Sequence, residues 1–151
     1  MQTLYFFIPE NILRDYVYHY GIASVSTEII NGFTDENVRA EENKLVSSKA
    51  ILEIVRGCDG IGTMLLLVSA ILAFPTSTKN KIIGIVSGVL FLYIVNTARI
   101  IIIYFIVAYQ YDWFLVTHTY LAPTFIIALC ALFFAFWIAK SNKIVLNKSS
   151  P

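Results

Sequence analysis

Three long apolar stretches dominate the second half of the chain. The first covers residues 61–74 and stops at Pro75, ahead of the polar run Thr76, Ser77, Thr78, Lys79, Asn80 and Lys81. The second covers 82–109 and is interrupted by Asn96, Thr97 and Arg99. The third begins near 119, ends near 139, and gives way to Lys140, Lys143 and Lys148. A helix crosses a bilayer with roughly 20 apolar residues, so each stretch predicts a transmembrane helix. The second is overlong. At about 1.5 Å per residue it spans about 42 Å, against a hydrocarbon core of about 30 Å. It is therefore expected to tilt, to protrude, or to break near residues 96–99.

The first 58 residues are patterned differently. Residues 4–8 form a short apolar run, and Pro9 then opens a segment with Ile12, Leu13, Tyr16, Val17 and Tyr20 on one helical face. Arg14, Asp15 and His19 take the rest, which predicts an amphipathic helix at the membrane surface or a marginally inserted one. Residues 31–43 read as a polar, acidic loop. Residues 44–56 predict two short strands, 45–46 and 50–55, turning at Ser47 and Ser48. The expected fold is an all-α polytopic membrane protein with three clear transmembrane helices. An N-terminal amphipathic or marginal helix and a small extracytoplasmic hairpin precede them. Its parts are the N-terminal helix and hairpin (1–58), the membrane core (59–140) and a cytoplasmic tail (141–151).

Composition agrees with lipid as part of the solvent. Of 151 residues, 58% are hydrophobic and 14% charged, with a mean hydropathy of +0.72. Soluble domains carry roughly 25% charged residues, so a soluble enzyme, a disordered regulator and a nucleic-acid binder are excluded. Net charge is +1, but its distribution is lopsided. Acids concentrate before Gly60, whereas Asp112 is the single acid after it. The positive-inside rule then puts the Lys79 loop and the lysine-rich C-terminus in the cytoplasm. Residues 1–58 and the loop around Asp112 face outward. No hydrophobic leader precedes residues 1–58, so their export implies insertion of the 4–30 region or a start upstream of Met1.

Polar residues inside apolar spans are costly and mark functional sites. Here they are Cys58, Asp59 and Gly60 at the head of the first span, Asn96 and Arg99 within the second, and His118 at the head of the third. Helical rise puts Cys58 about 27 Å from Thr76, Arg99 about 27 Å from Lys81, and His118 about 33 Å from Lys140. A thiol, a guanidinium and an imidazole thus reach one level near the outer leaflet. A thiolate is a strong nucleophile, and a neighbouring His or a helix N-terminus lowers the thiol pKa. His118 could take the thiol proton and later protonate a leaving amine. Arg99 suits an oxyanion or a substrate carboxylate. Asn96, three residues earlier on the same face, could orient Arg99. Asp59 could fix His118 or pair with Arg99 or Arg56, and Gly57 and Gly60 leave room for a substrate backbone.

Plainer readings stand beside these. Cys130, inside an apolar run, reads as packing, and Cys58 could do the same. His118 could rest at the interface, Arg99 could snorkel to lipid phosphate, and His19 reads as a surface residue. Cys130 lies about 18 Å deeper than His118 along its helix, which argues against a Cys58–Cys130 disulfide. Two distant histidines and scattered carboxylates do not converge on a metal, and nothing points to a cofactor.

The run over residues 52–74 (LEIVRGCDGIGTMLLLVSAILAF), the Asn96-x-x-Arg99 pair and His118 ahead of a final span together resemble the exosortase/archaeosortase family, over roughly residues 45–139. The N-terminal segment is similar to a short-form subgroup. The resemblance implies an inner-membrane cysteine protease or transpeptidase whose site faces the extracytoplasmic side. Its substrates are exported proteins ending in a short motif, a transmembrane helix and a basic tail. Cys58 would be the nucleophile, Arg99 the oxyanion or substrate stabiliser, and His118 the acid/base. Asp59 stands where many members have Ser. Three spans are few for the family, so a second copy or an upstream helix is expected to complete the site. The alternative is a non-enzymatic membrane subunit that binds lipid or a partner helix through Arg99.

Overall fold

The computed structural model describes residues 20–55 and 57–148. The expected amphipathic helix over residues 9–20 lies outside them, except for Tyr20. The described chain is mostly helical. It runs through α1 (Ser24–Phe33), then β1 (Arg39–Glu41), β2 (Lys44–Val46) and β3 (Ile51–Glu53), then α2 (Ile61–Ala73), α3 (Thr78–Tyr109) and α4 (Ala122–Lys148). The strands form one antiparallel sheet in the order β1-β2-β3.

Two regions depart from the sequence expectation. The segment read as an acidic loop contains β1, and α1 precedes it. Asn31 starts the strand: its side-chain amide donates to Val38 O and accepts from Val38 N–H, both at 2.8 Å, imitating a strand partner. Glu42 then takes a positive φ of 53° in the tight turn where Glu41 pairs with Lys44. Neither device leaves a trace in hydrophobic periodicity.

The helices settle the question raised by the second span. α3 is 32 residues long and does not break at 96–99. Its C-terminal end instead packs under the sheet. Ile100, Ile103 and Tyr104 are buried there with Leu45, Leu52, Ile54 and Ile30 of the sheet and α1. A second cluster, Leu67, Ile71, Leu92, Ile126, Cys130 and Trp137, holds α2, α3 and α4 together. Gly84 and Gly88 allow that approach. A methyl on Gly84 would fall 2.4 Å from Trp137 Nε1, and one on Gly88 would fall 2.6 Å from Leu67 Cδ2. Small residues at such spacing let membrane helices pack closely. α3 and the continuous helix Tyr111–Ser141 are long and apolar enough to cross a membrane; Ile61–Ala73 is shorter.

A polar joint fastens the sheet to the top of α3. Glu36 accepts from Tyr109, from Tyr104 Oη at 2.8 Å and from Lys49 Nζ at 3.0 Å. Tyr104 also reaches Ser47 Oγ at 2.8 Å. These donors, Tyr109 foremost, hold the Glu36 carboxyl at about 2 instead of its ordinary 4.5. A depressed carboxyl pKa stabilises the fold above the unfolded value and loses that contribution as pH falls toward the folded one. The joint is therefore expected to hold fully above about pH 4.5 and to weaken between there and about pH 2. Thermal unfolding across that window should show a shallower acid limb in Glu36→Gln than in the wild-type chain.

Candidate active site

The site lies where the two buried clusters meet, and three elements supply it. β3 runs on to a turn in which Cys58 N–H donates to Val55 O at 2.9 Å. Gly60, at φ +75°, then reverses the backbone into α2. Asp59 is buried, and its Oδ1 accepts from Ile61 N–H at 3.2 Å, satisfying one of the open donors of the new helix. That contact serves the helix start, a role not foreseen for Asp59. The turn carries the Cys58 thiol toward α3 and α4.

Arg99 comes from the middle of α3, and its Nη2 lies 3.8 Å from Cys58 Sγ. Asn96 sits one turn earlier and is 2% exposed. Its Oδ1 takes no hydrogen bond from the Arg99 guanidinium. Asn96 Oδ1 and Arg99 Nε are buried without a hydrogen-bond partner among the described residues. Asn96 is instead the wall against which Gly60 rests, since a Cβ on Gly60 would stand 2.8 Å from Asn96 Cγ.

His118 is placed differently from the expectation that it opens the third span. The helix already begins at Tyr111, so His118 lies inside it, in a π-helical turn, Thr117–Leu121. Pro123 explains the turn. It has no N–H to donate to Thr119 O, and its ring crowds that carbonyl. The preceding turn opens, and Ala122 N–H bonds Thr117 O, five residues back. Such single wide turns recur at functional sites. Phe114 stacks on the imidazole, with ring centroids 5.2 Å apart. This widened turn aims His118 at the thiol, and Cys58 Sγ and His118 Nε2 are 2.9 Å apart. Phe114 and Pro123 escaped the sequence reading, although a proline five residues after a candidate histidine is a visible signal.

Cys58, Arg99 and His118 therefore meet within one chain. Burial pushes the Cys58 thiol above its ordinary range, Arg99 pulls it back down, and Asp59 adds a smaller upward push. A nucleophilic role would hand the thiol's proton to His118. The rate of Cys58 alkylation by iodoacetamide is expected to rise with a midpoint above the free-thiol value of about 8.5. In Arg99→Ala that midpoint should move higher still, and an unchanged midpoint would show that the guanidinium exerts no field on the sulfur. Cys130 is a free, buried thiol in the helix cluster, its Sγ 4.0 Å from Thr63 O. Among the described residues no group of His, Cys, Asp or Glu side chains could hold a metal ion.

Two long apolar helices bearing a guanidinium and an imidazole, with a thiol brought against them by a turn, define a membrane protein with a cysteine-centred site. The family model of transmembrane exosortases matches residues 4–137, and the chain belongs to that family. Neither a curated protein nor a solved structure matches it.

Proposed function

We propose that the chain is an integral-membrane cysteine peptidase or transpeptidase acting on C-terminal sorting signals of exported proteins. The observation that carries this reading is the 2.9 Å contact between Cys58 Sγ and His118 Nε2, with Arg99 Nη2 on the same sulfur. That distance lies within the reach of about 2.6–3.2 Å over which a base takes a nucleophile's proton.

His118 Nε2 accepts the Cys58 proton as Sγ attacks the scissile carbonyl carbon. Charge moves to the carbonyl oxygen, where Arg99 stabilises it. The carbon–nitrogen bond breaks, and His118 gives its proton to the departing amine. The acyl group remains on Cys58 as a thioester. Water or an acceptor amine then attacks, His118 taking its proton, and the thiol is restored. The substrate bears a short motif, a transmembrane helix and a basic tail. In this reading α2, α3 and α4 are three spans of the bacterial inner membrane. The Lys79 loop and the C-terminus lie in the cytoplasm, and the sheet and Cys58 lie outside.

The test is the intact mass of exported proteins carrying such a tail, co-expressed with the wild-type chain or with Cys58→Ala. Truncation at the motif by the wild-type chain alone supports the reading, and added mass identifies the acceptor. Identical masses across every tail-bearing protein of the host would overturn it.

A further inference from the structure

β3 is the outermost strand of the sheet on the side that leads to the thiol. Its orientation follows from two bonds, Ser47 N–H to Ala50 O at 3.0 Å and Ile54 N–H to Asn43 O at 2.7 Å. In an antiparallel pair, alternate residues bond the same neighbour. Residues 50, 52 and 54 therefore bond toward β2. Ile51 and Glu53 turn their N–H and C=O groups away from the sheet, with no backbone partner among the described residues.

The two faces of β3 differ as well. Leu52 and Ile54 are buried on Ile100, Ile103 and Tyr104 of α3, so the strand cannot roll. Ile51 and Val55 are 64% and 46% exposed on the opposite face. The strand also runs directly to the thiol. From Glu53 to Cys58 the chain covers five residues, at most about 17 Å when fully extended. The turn closed by Cys58 N–H on Val55 O shortens that reach.

We propose that the free edge of β3 is the substrate-binding strand: an extended peptide segment adds to it in parallel and is delivered to Cys58. This rests on the peptidase reading above. Donor and acceptor groups at two-residue spacing are matched by another extended backbone, the geometry of strand addition. A peptide tethered to the membrane by its own C-terminal helix runs toward the spans as it nears the scissile bond. β3 runs the same way, from the Ser47 turn to α2, so the added strand is parallel. The backbone bonds supply affinity, and Ile51 and Val55 offer an apolar face to alternate side chains of the segment.

The experiment uses the full chain in lipid nanodiscs and the exported protein whose wild-type-dependent truncation was found by mass. Glu53→Pro deletes one outward N–H, while the β2–β3 bonds run through residues 50, 52 and 54. Glu53→Gln keeps that N–H. Glu53→Pro is expected to raise KM at least tenfold with kcat within about twofold, and Glu53→Gln to leave KM near wild type. Cys58 alkylation at the wild-type rate certifies an intact site in each variant. A wild-type KM in Glu53→Pro would overturn the proposal.

If Glu53→Pro fails to fold, a crosslinking measurement decides. Ile51→Cys, in a Cys58→Ala, Cys130→Ser background, is paired with single cysteines along the substrate segment. Disulfides at every second substrate position support strand addition, while none, or an even distribution, overturns it. Failure of the wild-type chain to cut any exported protein would remove the peptidase reading and this one with it. Normal cutting with a wild-type KM in Glu53→Pro would remove only this one.

Discussion

Cys58→Ala is expected to lower processing of a tail-bearing exported protein by at least about four orders of magnitude, as removal of a nucleophile does in enzymes whose groups act as a unit. Membrane insertion and thermal stability should be nearly unchanged, because Cys58 is only half-buried and sits in a turn. His118→Ala should cost nearly as much, and the double variant little more than either single, since the thiol and the imidazole share one proton. Single-turnover cleavage in nanodiscs measures all three. Cys130→Ser serves as the control and should cut at the wild-type rate. Effects of Cys58→Ala and His118→Ala that multiplied in the double variant would show two groups acting independently.

Gly60→Ala is expected to damage both the fold and the site. The backbone at φ +75° costs a residue with a Cβ about 1–2 kcal/mol. The new methyl would also stand 2.8 Å from Asn96 Cγ, so Asn96 or the start of α2 must shift. Displacement by about 1 Å costs on the order of 100-fold in rate where reacting atoms must be aligned. Activity should therefore fall further than stability. Melting in detergent and kcat/KM together measure the two losses. Asn96→Ala should restore part of the packing in the double variant but not the backbone cost. A Gly60→Ala chain with wild-type melting and wild-type turnover would refute the close approach of Gly60 and Asn96.

The sequence was most informative where polarity violates its surroundings. Arg99 and Asn96 inside an apolar run, Cys58 before one and His118 near another mark positions that the structure brings together, because a charge in such a helix has few places to go. Counting helical rise put the three at one depth, although His118 is not at a helix start. What stayed hidden depends on backbone chemistry, not hydropathy. The Asn31 amide that imitates a strand partner, the Asp59 carboxylate at the start of α2 and the Gly84 and Gly88 contacts are each set by a few atoms. Of the three outcomes expected for the overlong second span, a tilt, a protrusion or a break near 96–99, the break is the one the continuous α3 excludes. The apolar surplus at its C-terminal end is buried by the sheet, so the helix gains more by continuing under Leu52 and Ile54 than by ending at Arg99.

The widened turn at Thr117–Leu121 carries a consequence for how this chain can change. A turn that holds an extra residue rotates everything on one side of it relative to the other, so the direction of the imidazole and the packing of α4 are set together. Shortening the turn by one residue, with Pro123 replaced by Ala, would yield a straighter helix with its regular bonds restored. The same edit would swing His118 away from the sulfur by about 100°, one residue's rotation in a helix of 3.6 residues per turn. Selection for a sturdier helix and selection for this site thus pull on the same five residues in opposite directions. A variant library over 117–123 sorted for thermal resistance should drift toward chains that insert well and no longer cut.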